Sequence, residues 1–228
     1  MLLKKILNAL VRKFGVEENG ERVNIVYSGP GSVDFQKLNI YEKAHFRRYE
    51  YVRDFVTPEY QVGDMACGTG YGSAMLAEGA RGVVGIDISS RAVAAAKSRY
   101  KRYVNLEFLE ANLLDIDFTN FFDLIISFET VEHFSPDNVP KLFSTFVTAL
   151  KPGGTLIFST PYLQIRSEEA VRMGFHLTFD IDEKVIASWL ETSGLVLEYF
   201  KYQSYTHPDM SDSLEQKDFI ICFARKKI

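Results

Sequence analysis

Two short stretches hold the residues best placed to do chemistry. The first is Val62-Gly-Asp-Met-Ala-Cys-Gly-Thr-Gly-Tyr-Gly72, and the second, Val83-Val-Gly-Ile-Asp-Ile88, carries an acid next to its end. Gly68, Gly70 and Gly72 give a turn without Cβ atoms, so its backbone can come close to a ligand. Amides at the start of the helix that follows face an anionic group, which the positive end of the helix dipole favours. Asp87, at the tip of the next strand, offers a carboxylate to both hydroxyls of a ribose. Together they read as a nucleoside-binding half-site. The glycine spacing is Gly-x-Gly-x-Gly with Ser73 next, not the Gly-x-Gly-x-x-Gly that seats a dinucleotide pyrophosphate. Asp64 stands just before the turn, where it repels a pyrophosphate but suits the ammonium of a methionyl group.

A second group follows the fourth expected strand. Glu129, Glu132 and His133 spell Glu-x-x-Glu-His. On a helical turn these side chains share a face, so they could converge on a divalent ion. His133 alone suits a general base, because an imidazole titrates near neutrality and strand ends border such sites. His176, in a later loop, is a second base candidate. His45, Arg48 and Tyr49 lie on one helix and could face the cofactor or a substrate anion.

These groups need a scaffold, and the apolar pattern supplies one. A helix is expected over about 40–56, stopping before Pro58. Strands near 61–66, 82–87, 105–109, 122–128 and 154–160 alternate with helices near 71–79, 90–101 and 137–150. That alternation argues for an α/β, Rossmann-like doubly wound parallel sheet. A loop over about 161–178 leads to a helix near 181–192, closed by Gly194. Strands near 195–203 and 217–225 finish the chain, joined by a polar hairpin loop over 203–216. Residues 15–40 read as a loop or lid. Phe175, Phe179 and Trp189 read as core rather than as a substrate box.

Composition narrows the classes. A chain of 228 residues holds one well-buried domain and little more. Its net charge of −4 gives no basic field for a long nucleic acid. Two cysteines, Cys67 and Cys222, make no disulfide framework and point to a reducing compartment, the cytoplasm. No apolar run reaches the ~18 residues a membrane span requires. Residues 1–14 combine Leu3, Ile6, Leu7, Leu10 and Phe14 at helical spacing with Lys4, Lys5, Arg12 and Lys13. Such a helix suits docking on its own domain, on a second subunit or on an anionic membrane surface.

From Tyr41 to Lys226 the chain resembles the class I S-adenosylmethionine (SAM)-dependent methyltransferases. It is similar within them to a bacterial and archaeal group often found with glycan biosynthesis. The resemblance rests on His45-Phe-Arg-Arg-Tyr49, Cys67-Gly-Thr-Gly-Tyr-Gly-Ser73, Phe128-Glu-Thr-Val-Glu-His133, Leu150-Lys-Pro-Gly-Gly154 and Ser159-Thr-Pro161. Ala66 departs from a frequent glycine, and Asn112 from an aspartate that commonly accepts from the adenine amino group. Met173-Gly-Phe-His176 departs from a frequent Asn-Pro before the late histidine.

The resemblance implies a seven-stranded sheet with its last strand antiparallel and a methyltransferase domain over 41–228, preceded by an N-terminal extension of amphipathic helix and loop over 1–40. It implies SAM as cofactor and S-adenosyl-L-homocysteine (SAH) as product. Tyr41, His45, Arg48, Asp64, Ala66, Gly68, Gly70, Asp87, Ile88, Asn112, Leu113, Phe128 and Glu129 are the expected cofactor contacts. His133 and His176 are the expected catalytic residues, with no metal ion. The expected acceptor is a small molecule or glycan intermediate, O-methylated by in-line transfer. Glu-x-x-Glu-His also resembles the metal motif of coenzyme Q O-methyltransferases and, with His176, that of small-RNA 2′-O-methyltransferases. Those remain alternatives, as does a non-catalytic SAM-binding subunit; a dehydrogenase fits the glycine spacing worst.

Overall fold

The computed structural model describes residues 23–167 and 176–228. The amphipathic helix expected over 1–14, and Phe175, lie outside them. Eight strands form one sheet: β1 (Gln61–Met65), β2 (Gly82–Asp87), β3 (Leu106–Glu110), β4 (Phe122–Phe128), β5 (Leu150–Pro161), β6 (Leu195–Ser204), β7 (His207–Ser211) and β8 (Phe219–Lys226). Their order is β3-β2-β1-β4-β5-β8-β6-β7. The first five are parallel, as their apolar runs and intervening helices require. β8 runs antiparallel to both β5 and β6, which bears out the expected antiparallel last strand.

The expected count of seven is corrected to eight. β7 occupies the stretch expected as a hairpin loop and pairs with β6 at Tyr202↔Ser211 and Ser204↔His207. Its sequence, His-Pro-Asp-Met-Ser, has no apolar alternation to announce a strand. An edge strand tolerates that, and Pro208 withholds a donor the edge does not need.

Helices cover both faces. α1 (Ile40–Arg53) starts with a reciprocal cap in which Asn39 and Glu42 each accept from the other's amide. With α2 (Tyr71–Ala77) and α3 (Ser90–Arg99) it packs one core around Tyr49, Met75, Leu76, Phe108 and Leu124. α4 (Val139–Ala149) buries Leu142, Phe143 and Phe146 at helical spacing on the other face. There it meets α5 (Glu183–Ser193), capped by Asp182, with Trp189 packed on the Phe143 ring. Residues 23–39 form a packed strap rather than a loose loop: Ile25 and Tyr27 are buried, and the Tyr27 hydroxyl donates to Glu78 at 2.7 Å. Because β4 lies beside β1 while β2 and β3 lie on its other side, the winding reverses between them. The C-terminal ends of these strands therefore open a crevice at the switch point.

Candidate cofactor and acceptor site

That crevice is a cavity of about 520 Å³, within the range of small-ligand sites. One part is built from the β1–α2 turn and the tip of β2. The Asp87 carboxylate accepts from the Gly68 amide at 2.9 Å and from the Ser89 amide at 2.8 Å. Each oxygen keeps a lone pair for a hydroxyl, so backbone amides aim the carboxylate without exhausting it. Gly68 has φ 54°, and a Cβ there would meet nothing within 4 Å, which leaves its backbone open to a ligand. Ala66 lines the cavity with φ 62°. That left-handed conformation explains why glycine suits this position. Ile88, Asn112 and Leu113 line the same part of the cavity. The Asn112 Oδ1 accepts from the Leu114 amide at 3.0 Å, fixing the side chain while a second lone pair remains.

Several expected contacts do other work. Gly70 does not line the cavity: a Cβ there would sit 2.6 Å from the Phe108 ring, so its role is close packing. Gly72 is similar, with the Tyr49 ring 2.1 Å from a Cβ. Asp64 is fully buried, and its two oxygens accept from Tyr49 Oη at 2.8 Å and Ser73 Oγ at 2.5 Å. It lies behind the wall rather than in it, and burial raises its carboxyl to about 6 despite those two donors. Arg48 is 1% exposed, donating to Gln203 Oε1 and Glu129 Oε1 at 2.7 Å and to Ser159 at 3.1 Å. Its charge is committed to fastening α1 to β4, β5 and β6, not to an anionic ligand. Tyr41 is half exposed and stacks edge-on against Tyr205, away from the cavity lining. His45 does line the cavity, with its Nδ1 2.6 Å from the Tyr71 hydroxyl. Burial, aided by Arg48, pushes this histidine down to about 3, so it is neutral and offers no charge to an anion.

The other part follows β4. Phe128 and Glu129 line the cavity, and Glu129 has φ 49° as the chain leaves the strand. A single 3-10 turn, Val131–His133, then places His133 on the cavity wall. The expected Glu129–Glu132–His133 face does not form, because Glu129 Oε1 binds Arg48 and the Ser159 hydroxyl, each at 2.7 Å. Glu132 turns inward and is 1% exposed. His176 is buried outside the cavity lining, but its ring lies edge-on to His133 at 5.0 Å. The Leu177 and Thr178 amides donate to the Glu132 carbonyl, and the Thr178 hydroxyl donates to the Phe134 carbonyl. These bonds dock the late loop onto the β4 loop. Sequence reasoning missed Val23, Tyr71, Asn138 and Leu177, all of which line the cavity. Only Tyr71, inside the glycine motif, carried a signal; the others arrive through tertiary packing.

A switch-point cavity with a glycine turn and a strand-tip carboxylate is the arrangement in which doubly wound sheets bind nucleoside cofactors. Residues 62–154 match the family described as a methyltransferase domain. A protein named "Probable S-adenosylmethionine-dependent methyltransferase" from Mycolicibacterium smegmatis is 28% identical over 163 residues, 69% of this chain and 61% of that protein. A demethylmenaquinone methyltransferase of Tropheryma whipplei is 33% identical over 128 residues, 54% of this chain and 52% of its own length. The chain thus spans only part of the length of both relatives. The fold is similar to that of the N-methyltransferase NodS from Bradyrhizobium japonicum in complex with SAH, with a TM-score of 0.65 and 18% identity over 96% of this chain and 97% of that one. Over residues 62–154 the chain is thus similar to a methyltransferase domain, and relatives that share this region include SAM-dependent methyltransferases. The cavity lining is compatible in type with a nucleoside cofactor such as SAM: the Asp87 carboxylate, the open backbone at Gly68, and Ile88, Asn112 and Leu113 beside them. No helix among the described residues is long and apolar enough to cross a membrane.

Proposed function

We propose that this chain transfers the SAM methyl group to a hydroxyl oxygen of a small-molecule or glycan acceptor, leaving SAH. The observation that carries this reading is His133, which stands on the cofactor cavity's wall but on a different loop from the ribose carboxylate. The cofactor supplies an electrophilic methyl group. In the transfer, the acceptor oxygen–carbon bond forms as the sulfur–carbon bond breaks, and the electron pair stays on sulfur. The protein's first task is alignment, for which the Asp87–Gly68 pair fixes the cofactor end. Its second task is the proton, since a neutral hydroxyl is a weak nucleophile. His133 is the wall residue able to help remove it, and His176 backs it from inside. Neutral His45, with Tyr71 and Phe128, supplies an uncharged aromatic lining that does not compete for the proton.

The test is transfer of labelled methyl from SAM to a panel of glycans, lipid-linked sugars, quinone precursors and small RNA. Label in a sugar hydroxyl supports the proposal. A second reading, a phenolic quinone precursor as acceptor, draws on the T. whipplei relative, and label in that arm would select it. SAH binding with no transfer to any arm favours a non-catalytic SAM-binding subunit.

A further inference from the structure

Glu132, His133 and His176 each offer a ligand atom, and these three atoms lie within 4.8 Å of one another. Two come from the loop after β4 and one from the loop after β5, held together by the amide bonds to the Glu132 carbonyl. His176 is oriented by a further contact, its Nδ1 lying 2.5 Å from Gln164 Oε1. A carbonyl oxygen can only accept, so Nδ1 carries the proton and Nε2 presents its lone pair. This is the arrangement by which an outer partner fixes a metal-ligating histidine. Glu132 is a carboxylate at 1% exposure, and a buried carboxylate is stabilised by a nearby cation. Glu129, the other acid of the sequence motif, is engaged with Arg48 and is not part of this cluster.

We propose that Glu132, His133 and His176 bind one divalent transition-metal ion at the cavity wall. Two imidazoles and one carboxylate suit Zn²⁺, Mn²⁺, Fe²⁺ or Co²⁺ better than the oxygen-seeking Mg²⁺ or Ca²⁺. Ligand atoms held at ~2.0–2.2 Å around one ion stand roughly 3–4 Å apart, so a small side-chain adjustment closes the site. Because His133 lines the cavity, an ion that it holds would border that cavity. An ion there would supply a Lewis acid for an oxygen of the acceptor and so ease loss of its proton to solvent. That role rests on the proposed methyl transfer to a hydroxyl; the binding itself does not. With an ion present, His133 assists as a ligand rather than as the proton acceptor.

The experiment is calorimetric titration of the chelator-treated full chain with Zn²⁺, Mn²⁺ and Co²⁺ separately. SAH is titrated in parallel, and Co²⁺ absorption reports the ligand type. One ion per chain is expected, with Co²⁺ bands typical of imidazole and carboxylate ligands. Glu132→Gln and His133→Asn should each abolish saturable binding, and Gln164→Ala should weaken it ~10–100-fold as an outer-shell change. His133→Asn changes a partly exposed residue, so it remains informative if the buried Glu132 variant fails to fold. Absence of saturable binding in a chain that binds SAH overturns this inference alone. Binding that survives both His133→Asn and Glu132→Gln also overturns it. Failure to bind SAH instead removes the methyltransferase reading while leaving the ion titration interpretable.

Discussion

The two parts of the cavity are built by different means. The cofactor part is local: Gly68 and Asp87 are 19 residues apart and bonded directly, and the turn that joins them is dictated by its glycines. The part proposed to take the acceptor is assembled from a distance. His133 and His176 meet only because the chain after β5 returns to bond the Glu132 and Phe134 carbonyls. A local motif fixes a shared cofactor whatever the rest of the chain does. Loops held by a few tertiary bonds can instead be re-cut for different acceptors.

This contrast predicts separable losses. The largest is at His133: replacement by Ala should lower turnover ~10²–10⁴-fold while SAH affinity stays within a few-fold of the parent. Steady-state kinetics beside calorimetry decides it, and a parallel fall in SAH affinity would break the division between the two parts.

Next comes the layer behind the cofactor turn. Burial raises the Asp64 carboxyl from 3.8 in the unfolded reference to about 6. A group whose acid form the fold prefers loses stability as pH rises. The penalty is absent below about pH 4, grows between the two values and levels off above about pH 6–7. Its full size is about 3 kcal/mol. Asp64→Asn keeps an acceptor for Tyr49 or Ser73 but cannot ionise. Thermal unfolding should therefore show the variant gaining on the parent as pH rises from about 4 to 8. A gap that does not change with pH would mean the site is more hydrated than its burial implies.

A smaller effect is expected at Ala66, whose φ of 62° strains a side chain. Ala66→Gly should stabilise the fold or leave it unchanged, by up to ~1 kcal/mol after the entropy of a new glycine is offset. A loss larger than ~1 kcal/mol in chemical denaturation would show that the Cβ packs usefully.

Legibility in the sequence follows the same division. The parallel strands, the glycine turn and the Asp87 carboxylate bonded to it were readable because period, glycines and Asp87 act within one βαβ unit. β7 was not, since a polar edge strand has no apolar alternation to read. Arg48 and Asp64 carry the charge of ligand contacts in sequence, yet the fold spends both on internal bonds. Nothing local distinguishes those uses, because the partners Gln203, Ser159 and Tyr49 come from other elements. The same holds for Glu129, which one-face helical spacing grouped with Glu132 and His133. The short 3-10 turn and the Arg48 ion pair direct it elsewhere.

The account stands on Asp87 as the carboxylate of a SAM site, and one comparison tests it most directly. SAH is titrated calorimetrically into the parent chain and into Asp87→Ala. Loss of a charged acceptor for the ribose is worth ~1.5–3 kcal/mol, so affinity should fall ~10–100-fold with one site per chain retained in the parent. Equal SAH affinity in the two proteins, or a parent that binds NADH tightly and SAH not at all, would contradict the assignment.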